Sequence, residues 1–383
     1  MVAVVSAAPR TSTVFAGFTA YGALWGPYLS MLPDVRHATG AGEAQLGAAL
    51  LIGALAAMPA MFAIGKLLDR FGRPVAVATL AGFALIAPLP AMAGSVPALF
   101  LTLGLFGFGS GACNVVVVAL AASTEAGTGA RVMNRAHALF SVGLLTCSLG
   151  TGVARTAGVP GEAIALTLSA AVIVGAVAMR RFVPRRLVRR QREGARLRLG
   201  RALLLLCLLA GLAMVVESGV QQWSAVFLSD ITRAPVGLSA AAPGIFAAGM
   251  ALGRLGGHWL SGRASDRLVL VASGALSGVG VLLLSLADAP VHGLLGIAVV
   301  GTAISVSTPT VYGLIGRGAA PEDRGAVIGS TASLASVGLL LGPAVVGQIA
   351  GHTDLRVAIA TLSVASVAVC LLALRVPART ANR

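Results

Sequence analysis

The chain has 383 residues, of which 57% are hydrophobic and only 11% charged, and its mean hydropathy is +0.91. A soluble domain carries about a quarter charged residues, so this composition excludes an ordinary water-soluble globular class and makes lipid the solvent for most side chains. The net charge of +15 would suit a nucleic-acid partner, but the basic residues stand in the breaks between apolar runs, which excludes that class as well.

Runs of ~20 apolar residues are long enough to cross a bilayer core of ~30 Å as helices. Twelve are predicted, at 11–33, 43–65, 74–93, 97–122, 136–157, 160–182, 202–229, 239–261, 268–288, 290–314, 325–350 and 355–376. None shows the strict alternation over ~10 residues that marks a barrel strand. The opening MVAVVSAAPR is too short for a signal peptide, and its only charge follows the apolar part. It is expected to form a short tail.

In chain order, span 1 carries Phe18, Tyr21, Trp25 and Tyr28 at helical spacing, an aromatic stripe in a chain that is 5% aromatic. Between spans 2 and 3 stands GKLLDRFGRP (65–74), which sets Lys66, Asp69, Arg70 and Arg73 inside a long apolar stretch. Span 4 holds Asn114 near its middle, and Glu125 and His137 flank the loop into span 5. Glu125 is expected to pair with Arg131 or Arg135. After span 6, RRFVPRRLVRRQREGARLRLGR carries ten Arg against one Glu. Span 7 holds Glu217, ~15 residues or ~22 Å from its start at 1.5 Å per residue and so close to the bilayer centre. Gln221 and Ser224 follow at i+4 and i+7 on the same helix face. Charge is costly at that depth and usually faces a cavity, which suits an acid that takes up and releases a proton; an acid bonded between helices as structural glue would look the same. Span 10 is rich in Ser and Thr, which often satisfy their own helix backbone. Span 11 contains Gly342-Pro343, a candidate hinge.

With the amino terminus inside, 23 of the 28 basic residues fall in cytoplasmic tails and loops, four on the opposite side (Arg36, Arg155, Arg233, Arg356), and Arg254 lies within a span. That asymmetry is the positive-inside rule and sets both termini in the cytoplasm. The Arg-rich segment divides the chain into a six-helix bundle over 1–182, a linker over 183–201 and a second six-helix bundle over 202–383. Short matches relate the halves. SVGLL at 141–145 recurs at 336–340, and the nine-residue spacing from Gly143 to Gly152 recurs from Gly338 to Gly347. GHWLS at 257–261 is a degraded counterpart of GKLLD at 65–69, with Ser261 in place of the acid. Parallel six-helix repeats are one architecture of secondary transporters. The fold class is thus an all-α membrane protein of twelve transmembrane helices in two pseudo-symmetric bundles.

GKLLDRFGRP resembles the loop motif of the major facilitator superfamily, G-x-L-a-D-r-x-G-r, with Gly65, Leu67, Asp69, Arg70, Gly72 and Arg73 in place. RVMNRAHALFSVG (131–143), ESGVQQWSAVFLSD (217–230) and SVGLLLGPAVVG (336–347) are similar to patterns of a bacterial branch of sugar-type and uncharacterised inner-membrane members. The resemblance implies a cytoplasmic latch at Gly65, Asp69, Arg70, Gly72 and Arg73 that holds the halves together in the outward-facing state. It also implies a central cavity lined by helices 1, 4, 7 and 10. Tyr21, Trp25, Asn114, Gln221 and Trp223 are the cavity candidates, and Glu217 is the proton-coupling candidate. Where the branch often carries acids this chain has Ser110 and Gln222, which leaves Glu217 as the one deep acid.

The five histidines are scattered, there is no HExxH or Walker loop, and the four cysteines (113, 147, 207, 370) lie in separate spans without CxxC. Catalytic residues, a metal site, a cofactor and an enzymatic role are therefore not expected. The expected function is secondary transport of a small solute across the cytoplasmic (inner) membrane, driven by a proton gradient, by a monomer embedded in the bilayer. Efflux of a small amphipathic compound suits the apolar, aromatic cavity with one acid. Uptake of a sugar-like or organic solute is the alternative, and a non-transporting membrane receptor is the alternative from another class.

Overall fold

The computed structural model describes residues 10–183, 200–260, 263–318 and 324–377. Fourteen α-helices are formed among them: α1 Thr11–Ser30, α2 Leu32–Thr39, α3 Glu43–Phe71, α4 Arg73–Ile86, α5 Val96–Thr128, α6 Met133–Thr156, α7 Gly161–Met179, α8 Arg201–Asp230, α9 Val236–Leu260, α10 Asp266–Ser285, α11 Pro290–Ile304, α12 Ser307–Gly318, α13 Arg324–His352 and α14 Leu355–Ala373. Eleven segments are long and apolar enough to cross a bilayer. The twelfth span is α1, whose Thr, Tyr and Gly content lowers its hydropathy while its 20 residues keep the necessary length. The expected twelve-span, all-helical membrane fold is the observed one.

Local chemistry fixes the ends. Ser95, Ser265 and Asp354 cap α5, α10 and α14, their side chains accepting from Ala98 N, Leu268 N and Val357 N; each such cap satisfies a backbone donor that a helix start leaves open. Pro88 and Pro90 end the third span early, as a single 3-10 turn over Leu89–Met92. The tenth span is two helices, not one. Pro309 has no N–H to give, and Ser273 Oγ of α10 donates to the Ala303 carbonyl at 2.6 Å while lying 2.7 Å from Ser307 Oγ. Those contacts satisfy polar groups at the α11–α12 break. Span 11 behaves in the opposite way: α13 runs through Pro343 as one helix.

Two compact units form, Met1–Ala41 with Ala49–Gln191, and Gly42–Ala48 with Arg192–Arg383. Within the first, α1 packs on α5, α6 and α7, and α4 on α5 and α7. Within the second, α8 packs on α9, α11, α12, α13 and α14, and α10 on α11 and α14. The pairings repeat: spans 1 with 5 and 7 with 11, spans 3 with 4 and 9 with 10, spans 3 with 6 and 9 with 12. The duplicated SVGLL lies at one of these crossings. A Cβ on Gly143 would strike the Thr19 carbonyl, and one on Gly338 the Gly211 carbonyl, so both positions require the backbone approach that only glycine allows.

Candidate functional site

In the first unit, α1 and α5 bring the predicted aromatic stripe and Asn114 to one region. Tyr21 Oη lies 2.9 Å from Ser110 Oγ, and Trp25 Nε1 donates to the same oxygen at 3.2 Å. Around them Tyr28 stacks on Phe106 with ring centroids 3.9 Å apart, Trp25 meets Phe106 edge-on at 5.3 Å, and Tyr21 meets Phe83 edge-on at 5.7 Å. Offset and edge-to-face contacts of this kind stabilise the cluster beyond the burial of its area. Tyr21 and Trp25 stay part-exposed, whereas Phe18 and Tyr28 are buried and serve packing. Asn114 is one turn beyond Ser110 on α5, part-exposed, and makes no hydrogen bond among the described residues. Its amide therefore has both donor and acceptor to offer.

In the second unit, Glu217 and Gln221 are part-exposed on one face of α8. Two sequence candidates on that helix turn elsewhere. Ser224 is fully buried and bonds its own helix at Gln221 O. Trp223 is also fully buried, with Nε1 donating to the Pro343 carbonyl at 3.0 Å; its position on the helix points it into the α8–α13 packing, so it is a packing residue and not an open cavity wall. Arg254 of α9 acts electrostatically on Glu217, and Glu217 acts on Tyr312 of α12. Tyr312 Oη and, one turn earlier, Thr308 Oγ1 are buried without a hydrogen-bond partner among the described residues. Glu217 thus lies within the electrostatic reach of a cation on α9 and of the Tyr312 hydroxyl on α12. No group of His, Cys, Asp and Glu among the described residues could hold a metal ion.

The loop candidates are distributed differently from the sequence expectation. Gly65 is buried inside α3, which runs on to Phe71, so it makes no turn. The reversal is made by Gly72 alone, at φ 63° and ψ −120°, a conformation that only glycine adopts without strain. Asp69 and Arg70 are exposed on the last turn of α3, Arg70 against the Phe71 ring at 5.1 Å. Arg73 Nε donates to the Val183 carbonyl at 2.5 Å, which ties the start of α4 to the end of span 6.

The motif model of the Major Facilitator Superfamily matches residues 13–343 and again 231–383. The chain belongs to that superfamily. It is 27% identical over 365 residues to an uncharacterized MFS-type transporter of Yersinia pestis, covering 94% of this chain and 92% of the relative. An uncharacterized transporter of Sinorhizobium fredii is 27% identical over 353 residues, covering 90% and 92%. Among solved structures, the chain superposes on the nucleoside transporter NupG (D323A mutant) with TM-score 0.76 at 17% identity, covering 95% of this chain and 98% of that one. It superposes on a bacterial homolog of the human lysosomal transporter Spinster with TM-score 0.75 at 14% identity, covering 95% of each. The superfamily fold and a multi-pass membrane transporter follow; at these identities the solved structures speak for the fold alone.

Within this superfamily member, several residues escaped sequence reasoning. Glu125 makes no ion pair with an arginine among the described residues: its Oε1 accepts from Val132 N at 2.7 Å and Met133 N at 2.9 Å, capping the start of α6. Ser261, the expected counterpart of Asp69, lies outside the described residues; five positions on, Asp266 in the first turn of α10 meets Arg317 at 2.5 Å. Ser110 Oγ is the oxygen shared by Tyr21 and Trp25 in the first-unit cluster, and its placement one turn before Asn114 was the available signal. Arg254 was legible as the one basic residue inside a span, but nothing in the sequence brought its charge within electrostatic reach of Glu217.

Proposed function

We propose that the protein is a secondary active transporter that exports a small amphipathic solute by alternating access, coupled to a proton gradient. The observation that carries this reading is Glu217, a part-buried acid at mid-span on α8 with Arg254 of α9 acting on it. A carboxylate at that depth is tolerable while an opposite charge faces it. Gaining a proton changes the partner it needs, and this links proton exchange to movement of α8 against α9. Each unit offers a solute its own contacts: the Tyr21 and Trp25 rings with the free Asn114 amide in the first, and Gln221 beside Glu217 in the second. The loop from Gly65 to Arg73 is read as a cytoplasmic latch with Asp69 at its centre. The basic loops place both termini in the cytoplasm and the protein in the cytoplasmic membrane, where it is read as acting as a monomer without a bound cofactor.

A second reading, uptake of a sugar-like solute, is favoured by one observation: the Thr308 and Tyr312 hydroxyls lack partners and would suit a ligand rich in hydroxyl groups. Everted membrane vesicles carrying a pH gradient, screened against a solute panel, separate the two directions. Glu217→Gln should keep solute exchange and lose accumulation driven by the gradient. Pumping at the wild-type rate by this variant refutes the coupling role and leaves Glu217 as an interhelical contact.

A further inference from the structure

We propose that Arg10, Arg73 and Arg181, gathered at Phe182 and Val183 at one end of the first unit, bind the phosphodiester headgroup of an anionic phospholipid. The three arginines come from three different elements. Arg10 precedes α1, Arg73 opens α4, and Arg181 lies in the 3-10 turn Arg180–Phe182 that follows α7. The Arg10 guanidinium carbon is 4.7 Å from the Phe182 ring centroid and that of Arg181 is 4.9 Å from the same centroid. Arg73 is drawn to the neighbouring residue through its bond to the Val183 carbonyl.

This is a concentration of positive charge without a counter-charge. None of the three forms an ion pair among the described residues. Arg181 follows a helix C-terminus, where a cation is favoured. Arg10 and Arg73 stand at helix starts, where the dipole opposes a cation, and neither α1 nor α4 has an acid in its first turn. The positive-inside rule accounts for basic residues on one side of a membrane, but not for two of them meeting at one ring with a third bonded to the adjacent residue. A guanidinium lying on an aromatic face keeps its N–H edge open, and that edge matches the paired oxygens of a phosphate.

The surroundings select a lipid phosphate. The cluster lies where bilayer-crossing helices end, which is headgroup depth. Val174 and Val177 precede Arg181 by seven and four residues, the spacing of one helix face, and are 69% and 45% exposed. They give an apolar track along α7 for an acyl chain leading up to the arginine cluster.

The test uses the full-length protein purified in a mild detergent and titrated separately with phosphatidylglycerol, phosphatidylcholine and inorganic phosphate, with retained molecules counted by native mass spectrometry. Phosphatidylglycerol should be retained over phosphatidylcholine, and millimolar phosphate should not displace it. Arg10 and Arg181 are exposed, so R10Q/R181Q should fold as wild type and weaken phosphatidylglycerol retention by about tenfold or more. R10K/R181K, which keeps the charge but loses the forked donor edge, should recover only part of it, and R233Q should change nothing. Unaltered retention by R10Q/R181Q, equal retention of phosphatidylcholine, or displacement by free phosphate would each overturn the proposal.

Discussion

Ser110→Ala removes the one oxygen that Tyr21 and Trp25 share. Ser110 is 5% exposed, so water cannot readily replace the lost hydroxyl, and the change from Ser to Ala leaves no large cavity to blur the result. Two hydrogen bonds are lost, at 2.9 and 3.2 Å. Each contributes about 1 kcal/mol net, and two polar groups left inside an aromatic cluster bring the expected loss to about 2–3 kcal/mol. For a unit of this size each kcal/mol lowers the melting temperature by roughly 2–4 °C, which puts the expected drop at about 5–10 °C. Thermal unfolding of the purified protein, followed by tryptophan fluorescence, reads it. A double-mutant cycle with Tyr21→Phe isolates the pair and should return a coupling of about 1 kcal/mol. Melting within about 1 °C of wild type, or strict additivity with Tyr21→Phe, refutes the account of Ser110 Oγ as a shared hydrogen-bond partner. Ser110→Asp should be tolerated only with its carboxyl protonated, because no opposite charge among the described residues faces that buried position. It would also place a second acid near mid-span, so the pH dependence of transport should change in that variant.

Gly338→Leu should remove most folded protein from the membrane because its Cβ meets the Gly211 backbone, whereas Gly329→Leu on the same helix has open space and should accumulate normally; immunoblots of membrane fractions compare the two. Asp266→Asn and Arg317→Gln should each cost about 1 kcal/mol or less, since the Arg317 side chain is 53% exposed and such pairs are screened by solvent. Melting curves of both single variants and the double variant read this, and a coupling well above that would mean the pair is better shielded than its exposure indicates. Asp69→Asn should reach the membrane at wild-type levels but transport poorly, as the latch reading requires; wild-type transport at equal protein level removes Asp69 from that role.

The sequence was most informative where physics acts on one residue type at a time. Span number followed from run length against bilayer thickness, and charge asymmetry gave an expected orientation. The SVGLL repeat gave the duplication, and its glycines proved to be the crossing points of α1 with α6 and α8 with α13. Helix ends and turns were less legible. Gly65 and Gly72 look alike as letters, but α3 continues through the first and stops at the second, because a helix ends where packing and backbone angles decide. Likewise Pro309 and Pro343 both sit in apolar runs. The tenth span breaks near one and α13 passes unbroken through the other, and Ser273, which satisfies polar groups at the break, is 30 and 34 residues from its two partners in the chain.

The sequence by itself determined the solvent of this protein, its count of spans, its superfamily motif and the presence of one deep acid on α8, because each depends on composition, run length or local spacing. Only the tertiary structure decided which groups meet: Ser110 between Tyr21 and Trp25, Glu125 on the α6 backbone, Trp223 turned into the α8–α13 packing. The physical reason is that a helix offers several faces, and the choice among them is made by neighbouring helices distant in the chain. A part-exposed Glu217 and a fully buried Trp223, six residues apart on one helix, are separated by nothing in their local sequence.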